Sequence, residues 1–367
     1  MNRGKVPFLD LSRQESDIGK EIGAAVDRVL QSGNFILGSE VESFEKEFAA
    51  YCGSSHGIGV ASGTDALVLA LKASGLEPGE DVLVPAFSAP PTAVAVALAG
   101  GHPVFVDIDP ITFNIDCDLI DGAIGPRTRF LVAVHLYGNC VNMPALMATA
   151  DRHGLTVIED CAQAHGAAVG EKMAGTWGRA GAYSFYPTKN LGACGDGGMV
   201  VTADEGLSER LRMLRNYGKN ERDRLQEVGW NSRLDELQAA VLRVKLSYLD
   251  DWNRLRKQLA SRYFEGLHSL PLNFPDWDGG DDHCFHLFVI ASEARDELIH
   301  HLAKYGIETS IHYPVPLHLQ EPFIESSVAS CPQAEWAAKS VLSLPLYPEL
   351  KEEEQELVIQ GIRDFYR

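Results

Sequence analysis

Short apolar runs rich in β-branched residues recur along this chain, each ending in small or polar residues and followed by a helical pattern. They are Val82–Phe87, Pro103–Asp109, Arg129–Tyr137, Leu155–Asp160, Ala182–Tyr186 and Gly198–Thr202. The helical stretches between them read as Thr92–Ala99, Cys117–Ile124 and Met143–His153. This βα alternation predicts an α/β fold with a largely parallel sheet covered by helices on both faces. Ligands of such sheets sit outside the carboxyl ends of the strands, so the polar residues that end these runs are the first candidates for chemistry.

A different pattern follows. From Leu234 to Leu267 an apolar periodicity near 3.6 runs through Leu237, Val241, Val244, Leu249, Trp252, Leu255 and Leu259, and predicts one long helix joining two domains. A Pro-, Asp- and Gly-rich stretch, Leu270–Asp282, then leads into an expected strand at Cys284–Ile290, a helix at Ala294–Tyr305 and a polar C-terminal helix. We expect a large domain over 1–250 and a smaller C-terminal α+β domain over 251–367. A chain of 367 residues, 45% of them hydrophobic, can bury cores for both.

Charge narrows the partners. A formal net charge of -19 opposes nucleic-acid backbones and anionic membrane surfaces, and no basic stripe offsets it, so neither is expected as a partner. Met1–Asp10 has no apolar core of a leader, and no segment reaches roughly 18 uninterrupted apolar residues, so the expectation is a cytoplasmic protein. Seven cysteines without a CxxC pair point to reduced thiols rather than a zinc site. No metal is expected: His135, His165 and His312 read as core or loop residues, and neither HExxH nor a P-loop string occurs.

Lys189 carries the strongest chemical signal. It lies between an aromatic run, Ser184–Tyr186, and the glycine-rich Gly192–Gly198, with no charge partner close in sequence. Desolvation lowers an amine's pKa and leaves it free to form a Schiff base, which suggests covalent chemistry on a pyridine cofactor. Such a cofactor needs a carboxylate at its ring nitrogen, donors for its phosphate and packing on its ring faces. Asp160, at the end of Thr156–Asp160, is a candidate for the carboxylate; a helix cap or a metal ligand is the alternative. Gln163 is placed to bond the ring's phenolic oxygen or simply to satisfy a loop.

Gly57–Asp65 leaves a strand and enters the helical pattern Ala66–Ala73, so the N–H groups near Gly63 and Thr64 form a candidate anion site. Ser62, Thr64 or Asp65 acting only as an N-cap is the alternative. A dinucleotide fingerprint does not fit, because Ser62 stands at the third glycine position and no acidic residue ends Val82–Phe87. In an extended segment Ser184 reaches the same phosphate as Thr64, and Pro187 bends the chain so that Lys189 turns back across the sheet edge.

With these residues in place the chain resembles the DegT/DnrJ/EryC1/StrS family of sugar aminotransferases, which share the pyridoxal-phosphate fold type I of the aspartate aminotransferase superfamily. The resemblance runs through Phe8–Leu11, Gly38–Phe48, Ser62–Leu67, Glu159–His165, Ser184–Gly192, Gly195–Gly198, Arg215–Gly218 and Asn231–Ala239, in order and nearly end to end. It implies a large domain with a mainly parallel seven-stranded sheet and pyridoxal 5'-phosphate on Lys189, with pyridoxamine 5'-phosphate between two ping-pong half-reactions. It further implies Asp160 at the ring nitrogen, Gln163 at the ring oxygen, and Gly63, Thr64 and Ser184 on the phosphate. Asn231 would come from the neighbouring subunit of a homodimer with shared sites. The implied reaction moves nitrogen from glutamate or glutamine to a 3-keto or 4-keto nucleotide-linked deoxysugar. A keto-cyclitol acceptor, or a cofactor-binding regulator without turnover, is the alternative. Phe87, Tyr217, His312, Tyr313 and His318 are the candidates for the substrate side. One departure stands out: relatives carry an aromatic ring where this chain has Ala89, which leaves Phe87, Pro90 or Pro91 to cover the cofactor. Lys189, rather than histidine, speaks against the dehydratase chemistry of some relatives.

Overall fold

Two helices open the described chain, α1 (Leu11–Ser32) and α2 (Ser39–Cys52). Then come β1 (His56–Val60), α3 (Gly63–Ala73), β2 (Asp81–Pro85), α4 (Pro91–Leu98), β3 (His102–Val106), α5 (Ile120–Ala123), β4 (Thr128–Val134), α6 (Met143–His153) and β5 (Thr156–Asp160). A small antiparallel hairpin, β6 (Ala168–Val169) with β7 (Lys172–Met173), leads to β8 (Ala180–Ser184), β9 (Gly198–Thr202) and α7 (Glu205–Leu214). This computed structural model describes residues 5–220, 222–275, 277, 279–324 and 330–367. Met1–Gly4 of the expected leaderless start, and Asp276 and Asp278 of the Pro/Asp/Gly-rich stretch, lie outside the described residues.

The seven-stranded sheet has the order β1-β9-β8-β5-β4-β2-β3. β9 is antiparallel to both of its neighbours, and the other six strands run in one direction. Every residue of β2 and β9 is buried, because helices cover both faces; this is why these strands read as continuous apolar runs rather than as alternation. The carboxyl ends of β1, β2, β4, β5 and β8 therefore meet at one edge, and the antiparallel β9 brings its amino end to the same place.

Helix geometry departs from expectation in two places. The long helix expected over Leu234–Leu267 is two helices, α8 (Glu236–Leu246) and α9 (Leu249–Leu267), separated by a turn at Ser247 and Tyr248. The Ser247 hydroxyl bonds back to the Val244 carbonyl at 2.7 Å, and Asp250 and Asp251 fill the first turn of α9, where the helix dipole favours acids. Cys117–Leu119 forms a 3₁₀ turn that runs into α5, in place of one α-helix over Cys117–Ile124.

Past α9, β10 (Phe288–Ala291) starts later than the strand expected from Cys284. It pairs antiparallel with β11 (Val341–Leu344), flanked by α10 (Arg295–Lys304), α11 (Pro332–Ser340) and α12 (Glu352–Phe365). Its core includes Tyr263, Phe288, Leu302, Leu342 and Ile362, and Val6 of the N-terminal arm joins it. The expected division at 250/251 falls in the first turn of α9. No helix among the described residues is long and apolar enough to cross a membrane.

Candidate active site

Chain direction alone explains which side chains meet at the sheet edge. β5 ends on Asp160, β8 on Ser184 and β1 on Val60 just before Ser62, while the loop after β2 supplies Ser88 and Ala89. Asp160, Ser184, Ser62, Ser88 and Ala89, together with Lys189, Gln163 and the start of α3, line a cavity of about 240 Å³.

The anion end is built from α3. Ser62 caps that helix in an extended conformation, and its hydroxyl accepts the Asp65 N–H at 3.1 Å. The capping reading thus holds for Ser62, and it leaves the Gly63 and Thr64 N–H groups at the helix start without an intrahelical acceptor. Asp65 is engaged elsewhere, accepting from the Ser232 hydroxyl at 2.6 Å. Glycine is required at 63 by space: a Cβ there would stand 2.4 Å from Ser184 Cβ and 3.0 Å from Ser184 Oγ. Gly63, Thr64 and Ser184 thus share the lining of the cavity, and Gly63 and Ser184 are packed too closely for an extra methyl group between them.

Asp160 lines the same cavity and is only 5% exposed. Burial raises its pKa, opposed by the Ala162 N–H on Oδ1 at 3.1 Å, the Thr92 hydroxyl on Oδ2 at 2.9 Å, and the charge of Lys189. The Thr92 hydroxyl in turn lies 2.9 Å from Ser88 Oγ. Lys189 is partly buried on the turn after Pro187, its N–H bonded to the Tyr186 carbonyl at 2.9 Å. Burial brings its amine down to about 8 even though Asp160 pulls the other way.

Gln163 has a defined orientation. The Tyr137 N–H, on a residue with φ 61°, donates to Oε1 at 2.6 Å, and Nε2 donates to the Tyr313 hydroxyl at 3.0 Å. A carbonyl must face the N–H donor, so the amide nitrogen is the end presented beside Tyr313. Burial pushes that phenol up to about 12, so it remains protonated.

Just behind Asp160, Glu159 accepts the N–H groups of Gly175, Trp177 and Gly178, each at 2.7 Å, and faces His135 Nε2 at 3.1 Å. Val141 N–H donates to His135 Nδ1 at 3.1 Å, so the ring proton sits on Nε2. His135, Glu159 and Cys161 place ligand-type atoms within 4.8 Å of one another. Yet the histidine and carboxylate are already saturated by these bonds, and burial drives the thiol well up. The cluster braces the end of β5.

The remaining candidates are placed as follows. His312 offers its carbonyl to the Tyr137 hydroxyl and its Nδ1 to Ser343 Oγ at 2.9 Å, and burial lowers its ring to about 4. His165 is fully buried against Phe48 and Tyr183, and burial brings it to about 3. Phe87 is in the core, its ring edge-on to Tyr313 at 6.4 Å, and does not line the cavity. His318 is also a core residue, packed beside Phe105 with Nε2 3.5 Å from Glu335, away from the cavity. Tyr217 and Asn231 are exposed outside this chain's own cavity; Asn231 bridges Asn216, and Arg233 stacks 5.4 Å over the Tyr217 ring. Ala89, where relatives are expected to carry an aromatic ring, lines the cavity, and of the three residues expected to cover the cofactor in its place only Pro91 is in that lining.

Four polar residues that line or support the cavity, Ser88, Thr92, Tyr186 and Asp196, carry no local sequence signal of that role beyond the pair of hydroxyls four apart in Ser88–Thr92, spanning a strand exit and a helix start.

Among curated relatives, the chain is 47% identical over 364 residues to dTDP-3-amino-3,4,6-trideoxy-alpha-D-glucose transaminase of Streptomyces venezuelae, covering 98% of this chain and 96% of that one. It is 46% identical over 368 residues to the "Pleiotropic regulatory protein" of Geobacillus stearothermophilus, covering 99% of each. The crystal structure of S. venezuelae DesV in complex with a ketimine intermediate superposes with a TM-score of 0.96 at 47% identity over 99% of both chains, which shows fold type I here. The description of the DegT/DnrJ/EryC1/StrS aminotransferase family matches residues 16–363. With that span matched and the lysine, aspartate and glycine–threonine corner gathered in one cavity, the chain belongs to the DegT/DnrJ/EryC1/StrS aminotransferase family.

Proposed function

We propose that this aminotransferase uses pyridoxal 5'-phosphate to carry nitrogen from glutamate or glutamine to a 3-keto or 4-keto nucleotide-linked deoxysugar, in cytoplasmic amino-sugar biosynthesis, as a homodimer with shared sites. The observation that carries the reading is the gathering, within one cavity, of a buried acid at Asp160, a corner of donors at Gly63, Thr64 and Ser184, and Lys189. A pyridine ring bearing a phosphate offers the matching groups, a basic nitrogen and an anion. When bound, the cofactor supplies an electron sink and a carrier for the nitrogen.

The chain's own residues do the rest. Lys189, its amine brought down to about 8 by burial, is substantially neutral near that pH and serves first as nucleophile and then as proton carrier. Asp160 would hold the proton of the ring nitrogen, and Gln163, whose Nε2 bonds the Tyr313 hydroxyl at 3.0 Å, would hold the ring oxygen. The S. venezuelae relative, named for a dTDP-linked amino sugar, is what favours a nucleotide sugar over a keto-cyclitol. A cofactor-binding regulator without turnover is the second reading, favoured by the name of the Geobacillus relative.

The test uses purified protein, added pyridoxal phosphate and borohydride, followed by peptide mapping, with label expected on Lys189. Glutamate and glutamine are then tried as donors against a panel of keto-sugar nucleotides and ketocyclitols. Protein that takes up no pyridoxal phosphate defeats the proposal; uptake without nitrogen transfer selects the regulator.

A further inference from the structure

Three buried polar side chains form a single file at the cavity wall, with Ser88 and Asp160 in its lining and Thr92 between them. Ser88 and Thr92 are each 1% exposed, and Asp160 5%. The oxygens lie 2.9 Å apart from Ser88 to Thr92 and 2.9 Å from Thr92 to Asp160 Oδ2. The direction of the file follows from charge. An ionised carboxylate only accepts, so the Thr92 proton points to Asp160, and Ser88 must then donate to the Thr92 oxygen. Oδ1 is held by the Ala162 N–H at 3.1 Å, so the two oxygens are fixed from opposite directions, by β5's own exit and by α4.

Resting on the cofactor reading above, we propose that Ser88 and Thr92 form a serial positioning relay that keeps Asp160 ionised and fixes its carboxylate for a cationic ring nitrogen. Thr92 is a positioning residue, because it acts through Asp160. The relay answers a physical problem: a carboxylate this buried loses its hydration, and hydrogen bonds to its charged form are the available compensation. The other titratable groups that face Asp160 are Lys189 in the same cavity, His135 after β4, Tyr313 from the loop before α11, and Cys161 next to it in sequence, with Glu159 its other neighbour along the chain. Of these, Lys189 is the group whose positive charge favours the carboxylate.

The experiment compares Thr92→Val, Thr92→Ser, Ser88→Ala and the Ser88→Ala/Thr92→Val double variant, each checked for a wild-type melting curve. In the cofactor-free protein the Asp160 carboxyl is followed by ¹³C resonance, assigned by difference against Asp160→Asn. The relay predicts that Asp160 titrates at higher pH in Thr92→Val and returns to the wild-type position in Thr92→Ser. Pyridoxal phosphate should bind about tenfold more weakly to Thr92→Val, the order expected for one hydrogen bond to a charged group. Ser88→Ala should have a smaller effect alone and add nothing to Thr92→Val, because a serial chain is broken only once. Unchanged Asp160 titration in Thr92→Val, or effects of the two substitutions that multiply, overturns the relay. If the wild-type protein takes up no pyridoxal phosphate, the functional reading fails, while the carboxyl titration still decides the relay.

Discussion

Lys189 shows how burial alone prepares a side chain for chemistry. An ordinary lysine titrates near 10.4, so at neutral pH almost none of it is a nucleophile. Here burial outweighs the attraction of Asp160 and brings the amine to about 8. The sign is fixed by the reactive form: the neutral amine attacks, so the rate of pyridoxal phosphate capture should rise with pH through about 8 and level off above it. Stopped-flow absorbance across that range checks this, and a rate still climbing steeply at pH 10 would mean the lysine is not desolvated. Lys189→Ala removes both the nucleophile and the proton carrier while leaving the Asp160 and Gly63 ends of the cavity intact. Turnover should fall by about 10²–10⁴-fold or more, the usual weight of a positioned acid–base group. Equilibrium dialysis should still find non-covalent cofactor binding.

The junction of β1, α3 and β8 turns that lysine into part of a site. α3 begins at a glycine because β8 passes so close that no Cβ fits between them. In Gly63→Ala two effects compete. Alanine is the better helix former by roughly 1 kcal/mol in a helix interior, and less at the first position. Against this, a contact of 2.4 Å with Ser184 Cβ must be relieved by parting the helix from the strand, an overpacking cost of about 1–3 kcal/mol. The strain should win, so thermal melting should fall by several degrees and phosphate and pyridoxal phosphate should both bind more weakly; an unchanged melting point with full affinity would show that the corner yields freely. Elements like this one were legible where local chemistry fixes them. α6 runs over Met143–His153 as expected, because Asn142 caps it and Gly154 closes it in the left-handed conformation. The break at Ser247 was hidden, because the apolar period continues across it and only the acids at 250 and 251 mark a new start. Ser88 and Thr92 were missed because a hydroxyl's partner across the sheet, Asp160, is 68 residues away from Thr92 and leaves no local trace. His318 illustrates the converse: a polar loop residue drew attention, and packing against Phe105 took it into the core.

In the whole molecule, the site of one chain leaves part of the expected chemistry outside itself. Asn231 and Tyr217 are exposed and away from their own cavity, while Tyr186, at the cavity mouth, is 53% exposed. Large apolar side chains stand out in the same single chain, with Phe35 at 45%, Leu225 at 70% and Val228 at 91% exposure. A second copy related by a two-fold axis would cover such a surface and bring its own Asn231 to the mouth of this cavity, as in an isologous interface. Sedimentation should then report a dimer, and Asn231→Ala should weaken cofactor binding by about tenfold or more through loss of one donor to an anion. The sharper measurement mixes two inactive or weakened proteins, Lys189→Ala and Asn231→Ala, after partial unfolding and reassembly. If Asn231 serves the neighbouring chain, each hybrid dimer contains one site with neither substitution. With random pairing half of the dimers are hybrids, so about one quarter of the wild-type sites should return. If Asn231 serves its own chain, every site in the hybrid carries one substitution and nothing is regained. A mixture that stays at the average of its two components would place Asn231 outside the shared site, whatever the oligomeric state.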